Sequence, residues 1–141
     1  MAQADTAAWR ILWDAYLAFY KVELPETVTQ RTFARLVAGE ALHGAIARSE
    51  DGEALGLVHW VFHPSTWSTA DYCYLEDLYV SPAARGNGVG RALIEHVTSA
   101  ATIAGASKLY WLTHESNTTA RSLYERTANR TGFIHYERPL P

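Results

Sequence analysis

Apolar residues recur at three- and four-residue steps through Trp9, Leu12, Trp13, Tyr16, Leu17 and Tyr20, which predicts an amphipathic helix. Thr27 followed three residues later by Gln30 matches a capping box and opens a second predicted helix through Leu36, ended by Gly39. Beyond Gly39 the pattern changes. His43 to Arg48 and Leu55 to His63 predict two strands joined at the turn Glu50-Asp51-Gly52. The turn from Pro64 to Thr69 leads into a long strand, Asp71 to Val80. A helical stripe from about Gly88 to Ala104 turns Val89, Leu93, Val97 and Ala101 inward. Strand Lys108 to Thr113, helix Asn117 to about Arg130 and strand Phe133 to Glu137 complete the series. No repeat, linker or low-complexity tract interrupts it. The order, α-α-β-β-β-α-β-α-β, predicts one α/β domain over residues 1–141.

Composition narrows the function classes. A chain of 141 residues that is 48% apolar can bury a core of its own. A net charge of -3 offers nothing to nucleic acid. The single cysteine, Cys73, excludes an internal disulfide and suits a reducing compartment. No apolar run reaches membrane-spanning length, and the N-terminus lacks the basic-then-apolar form of a signal peptide. The expectation is a cytoplasmic protein without membrane or nucleic-acid partners. The six histidines have no metal-ligand spacing, so no metal is expected.

The chemistry is concentrated in Tyr79-Val80-Ser81-Pro82-Ala83-Ala84-Arg85-Gly86-Asn87-Gly88-Val89-Gly90-Arg91-Ala92. A strand stops at Pro82, three alternate glycines follow, and a helix begins near Val89. That order gathers backbone N–H groups at a helix N-terminus, where the dipole favours an anion and glycines admit a phosphate to the bare backbone. A P-loop needs Gly-x4-Gly-Lys-Ser/Thr, and no Lys-Ser or Lys-Thr follows. A dinucleotide fingerprint needs Gly-x-Gly-x-x-Gly, but from Gly86 the last position is Arg91 and from Gly88 it is Leu93. A tight strand-to-helix connection without a ligand is the plainer alternative.

Arg85, Gly88 and Gly90 do fit Arg/Gln-x-x-Gly-x-Gly/Ala, which resembles the acetyl-coenzyme A loop of the GNAT (Gcn5-related N-acetyltransferase) superfamily. Asn117, Ala120 and Tyr124 resemble that superfamily's Asn-x-x-Ala-x-x-x-Tyr helix, and Gly132-Phe133 follows in order. Asn117 and Tyr124 lie seven residues apart, about two helical turns, and so share a face. Asn117 as an N-cap and Tyr124 as a core aromatic are the plainer readings of the same pair. The resemblance covers about Thr27 to Tyr136. It implies a mixed sheet splayed at the cofactor cleft, with helices on both faces and the usual first edge strand missing or short.

The resemblance also implies roles. Backbone groups of Leu78, Tyr79 and Val80 would meet the pantetheine arm, and amides of Arg85, Gly86, Asn87, Gly88, Val89, Gly90 and Arg91 the pyrophosphate. The side chains of Arg85 and Arg91 would assist or remain solvated surface charges. Asn117 and Ala120 would line the arm, with Tyr124 facing the sulfur. A lysine-like amine costs about 4–5 kcal/mol to neutralise at pH 7, so a base is needed. Glu76 is the expected base, acting through water, with Asp77 orienting the acceptor; a strand-end salt bridge is the alternative. Consecutive strand residues face opposite sides unless a bulge intervenes.

Trp60, His63, Trp67, Tyr72 and Tyr79 would furnish an aromatic wall for a small cation, or belong to the core. The run Leu75-Glu76-Asp77-Leu78-Tyr79-Val80, with Phe19-Tyr20 and Thr131-Gly132-Phe133-Ile134, looks similar to a GNAT branch of fungal histone and D-amino-acid acetyltransferases. The implied activity is acetyl transfer from acetyl-CoA to a primary amine of a small molecule. A silent acyl-CoA-binding module and a protein lysine acetyltransferase are the alternatives. An uncovered sheet edge predicts a homodimer, with C-terminal strands exchanged as one form of it.

Overall fold

The computed structural model describes residues 1–140. It runs α1 (Thr6–Tyr20), α2 (Glu26–Ala38), β1 (Leu42–Arg48), β2 (Ala54–His63), β3 (Tyr72–Val80), α3 (Val89–Ile103), β4 (Lys108–Trp111) and α4 (Thr118–Thr127). The sheet has the order β1-β2-β3-β4, antiparallel except for the parallel β3–β4 pair. Among the described residues no strand precedes α1, where the resemblance left the first edge strand missing or short.

Strand alternation divides the core in two. On one face Trp9, Leu12 and Trp13 of α1 and Phe33 and Leu36 of α2 pack against Leu42, Leu57 and Tyr79. On the other, Leu93, Ile94, Val97 and Ala101 of α3 pack against Val58, Trp60, Cys73 and Leu75. Leu123 and Tyr124 of α4 join this second layer. Helices therefore cover both faces, as expected of the resembled fold.

The start of α2 differs from the sequence reading. The capping box at Thr27 does not form. Pro25 instead precedes α2 with φ of -55°, and its carbonyl accepts from Val28 and Thr29. Proline is already set for helix entry and loses no N–H there, so Thr27 falls inside the first turn and Gln30 reaches Glu26 instead. α1 ends on Lys21 in the left-handed conformation, φ 56°, with Lys21 and Val22 N–H closing on Ala18 and Leu17 carbonyls. A lysine gives no local signal for that turn.

The largest difference is the predicted strand Phe133 to Glu137, which is irregular chain. Phe133, Ile134 and Tyr136 are exposed by 84%, 73% and 84%. A strand is defined by its hydrogen-bonded neighbour, and among the described residues nothing pairs with this segment. β4 and α4 are also shorter than predicted, ending at Trp111 and Thr127.

Candidate active site

β3 and β4 are paired only from Tyr72↔Lys108 to Leu75↔Trp111. Beyond Leu75, β3 continues to Val80 with an open edge. Ser81 N–H donates to Leu55 O on the β2 side. By alternation, Leu78 and Val80 direct their backbone groups at the open edge. Arg85 Nε donates to Val80 O at 3.1 Å, and its guanidinium stands 5.9 Å from the Phe19 ring and 6.0 Å from that of Tyr79.

The β2–β3 register slips at one point. His59 pairs with Asp77 and Trp60 with Leu75, so Glu76 is an extra, unpaired residue. This bulge removes the alternation that would send the two acids to opposite faces. Asp77 meets Tyr16 of α1 and the buried His59, and the charges of both acids help raise the pKa values of Tyr16 and Tyr74.

Their surroundings differ. Asp77 Oδ1 accepts from Tyr16 Oη at 2.5 Å, and its Oδ2 lies 2.9 Å from His59 Nδ1. His59 Nε2 lies 2.9 Å from Trp9 Nε1, and both rings are 1% exposed. An indole N–H only donates. His59 Nε2 therefore accepts, its proton sits on Nδ1, and that N–H donates to Asp77. Glu76 makes no hydrogen bond or ion pair among the described residues and has an exposed side chain. Lost hydration from surrounding protein, then the charge of Asp77, raise its pKa above the usual carboxylate range.

At the end of β3 the glycine turn opens onto α3. Gly86 and Gly88 have φ of 80° and 81°, where a side chain is strained, and an added Cβ would meet open space. Gly88 caps α3 without a side-chain bond. Among the described residues, the N–H groups of Gly86, Asn87, Gly88, Val89, Gly90 and Arg91 find no acceptor, while Ala92 N–H begins the helical ladder on Gly88 O. α4 lies alongside, with Leu123 Cδ2 3.3 Å from where a Gly90 Cβ would stand.

Asn117 is the N-cap of α4, its Oδ1 accepting from Ala120 N–H at 3.3 Å. Tyr124 stands edge-on to Trp111 with centroids 5.4 Å apart. Burial, then the nearby Tyr20 hydroxyl, push the Tyr124 pKa up to about 12. Cys73 is fully buried with its thiol pushed up to about 11 by burial, a core group without activation.

The aromatic wall is divided. Tyr79 packs edge-on to Tyr16, 6.4 Å between centroids, on the face of Asp77. Trp60 faces the other way, under α3, stacked on His43. His63 lies further along, its Nε2 accepting from Tyr110 Oη at 2.8 Å. Trp67 is 82% exposed in the loop before β3. His59, Trp9 and Tyr20 were given no place in the site from sequence. The one available signal was His59 as a polar residue inside an apolar strand.

Comparison with known proteins agrees with this geometry. The model of the acetyltransferase (GNAT) family matches residues 6–129. A D-amino-acid N-acetyltransferase, HPA3, of Saccharomyces cerevisiae is 40% identical over 136 residues, covering 95% of this chain and 84% of that protein. A thialysine N-epsilon-acetyltransferase of Caenorhabditis elegans is 29% identical over 108 residues, covering 76% of this chain and 66% of its own. The solved structure of AAC(6')-Iy in complex with a bisubstrate analogue, CoA-S-monomethyl-acetylneamine, superposes with a TM-score of 0.86 at 19% identity, covering 100% of this chain and 95% of that one. With the family model spanning most of its length and a relative 40% identical over nearly all of it, this chain belongs to the acetyltransferase (GNAT) family as an N-acetyltransferase.

Proposed function

We propose that the protein transfers the acetyl group of acetyl-CoA to a primary amine of a small molecule, by direct attack with both substrates bound. The observation that carries this reading is the open β3 edge leading straight into the unbonded amides of Gly86 to Arg91. An extended amide-bearing arm suits the edge, and a diphosphate suits the amides. In this reading Asn117 and Ala120, at the start of α4, meet the same arm. A relative named for D-amino acids and another named for thialysine support a small amine as acceptor.

Each residue has a distinct task in this reading. Glu76, accessible to water and with a raised pKa, takes the proton from the acceptor amine through a water molecule. An N–H on the open β3 edge polarises the acetyl carbonyl. Tyr124 keeps its proton at neutral pH and donates a hydrogen bond to the departing sulfur. Its value near 12 is roughly 3.5 units above a free thiol, so full proton transfer is uphill by about 5 kcal/mol.

The same proposal includes a cytoplasmic homodimer. The supporting features are exposed Phe133, Ile134 and Tyr136, edge strands β1 and β4 with no outer neighbour among the described residues, and a buried free cysteine. Among the described residues no helix is long and apolar enough to cross a membrane.

The test is release of free thiol from acetyl-CoA across D- and L-amino acids, polyamines and aminoglycosides. Turnover with at least one small amine is expected. Binding of acetyl-CoA without turnover on any of them would replace this reading with that of a silent binding module.

A further inference from the structure

We infer that Tyr16 and His59 are positioning residues that hold the Asp77 carboxylate as the anchor for the acceptor's ammonium group, leaving proton removal to Glu76. The inference rests on the proposed function and divides the labour between two adjacent acids.

Asp77 is held from two sides. The Tyr16 hydroxyl donates to Oδ1 and His59 Nδ1–H donates to Oδ2. His59 cannot turn away, because its Nε2 is fixed by the Trp9 indole in the fully buried core. An ionised carboxylate has about four acceptor positions, so two remain for a ligand. The side chain is 16% exposed, so part of it stays open to a ligand. The Tyr16 ring adjoins it and stands edge-on to Tyr79 and to the exposed Tyr20, an aromatic setting suited to a small cation.

The network also makes Asp77 a poor exit for a proton. Its chain of hydrogen bonds runs inward through His59 and stops at Trp9, whose N–H is already donated and which accepts nothing. Tyr16, desolvated and beside Asp77, is held far above its usual pKa and keeps its proton. Glu76, in contrast, meets solvent directly and has no donor to satisfy.

Steady-state kinetics on folded variants test this, with the amine and acetyl-CoA varied separately. Tyr16→Phe, which loses only a hydroxyl, is expected to raise the amine KM about tenfold, the scale of one lost hydrogen bond to a charged group. The KM for acetyl-CoA stays unchanged and kcat falls no more than about threefold. His59→Leu behaves likewise, and His59→Asn, whose amide N–H takes the place of Nδ1–H, recovers most of the loss. Asp77→Asn raises the amine KM at least as much as Tyr16→Phe does.

Wild-type amine KM in both Tyr16→Phe and Asp77→Asn would overturn the anchor. So would equal effects on the amine and acetyl-CoA constants, since a merely structural network would disturb both. If the His59 variants do not fold, Tyr16→Phe decides alone. A wild-type enzyme that acetylates no amine would overturn the proposed function together with the anchor, whereas turnover with unchanged KM values overturns the anchor only.

Discussion

Glu76 loses hydration and sits beside a second negative charge, so the folded protein binds its proton more tightly than the unfolded chain does. The sign follows directly. The stability linked to Glu76 is present below the ordinary carboxylate range and is lost as pH rises through the raised value. Glu76→Gln should therefore melt at a higher temperature than wild type at pH 7, and the difference should vanish near pH 4 in calorimetry. The same substitution should lower kcat/KM by about 10²–10⁴ and remove the acid limb of its pH profile. Tyr124→Phe should reduce kcat by about ten- to a thousandfold while acetyl-CoA affinity, read by titration calorimetry, changes little. From sequence these roles followed only from the resemblance. Glu76 and Asp77 are adjacent acids there, and only the bulge and the two donors from distant elements, Tyr16 and His59, distinguish them.

At the scale of elements, the path of β3 depends on what β2 omits. A Cβ on Gly56 would stand 2.5 Å from the Tyr79 carbonyl oxygen, a contact no real side chain makes. Gly56→Ala should push β3 away at Tyr79 and destabilise the fold by about 1–3 kcal/mol in chemical unfolding. It should also raise the KM for acetyl-CoA, because Leu78 and Val80 flank the shift. The glycine turn responds differently. Gly88→Ala meets open space but keeps φ near 81°, so about 1–2 kcal/mol of strain is expected, with weaker acetyl-CoA binding by calorimetry. The turn was legible in the sequence because proline, glycine and helix periodicity are local signals. The α2 start was misread because Pro25 and Thr27 are both credible entrances, and the chain takes the earlier one.

For the whole molecule, the segment after α4 carries the open question of assembly. Phe133, Ile134, Tyr136 and Leu140 are each more than 70% exposed in a single chain. Light scattering at micromolar concentration should give a dimer, and removal of residues 129–141 should give a monomer or an aggregating protein. A monomer from the full chain would remove the homodimer from the proposal.

The sequence by itself determined the order of helices and strands as far as α4, the glycine turn at Arg85 to Arg91 and the helix bearing Asn117 and Tyr124. Those features are written in local periods and in residues with unusual backbone freedom, so a window of ten or so positions suffices to read them. The tertiary structure alone decided that Glu76 bulges out of the β2–β3 pairing beside Asp77, that Trp60 packs under α3, and that Tyr16 and the Trp9–His59 pair converge on Asp77. Those contacts join residues 18 to 61 positions apart. They depend on a one-residue slip in strand register, which no local pattern specifies.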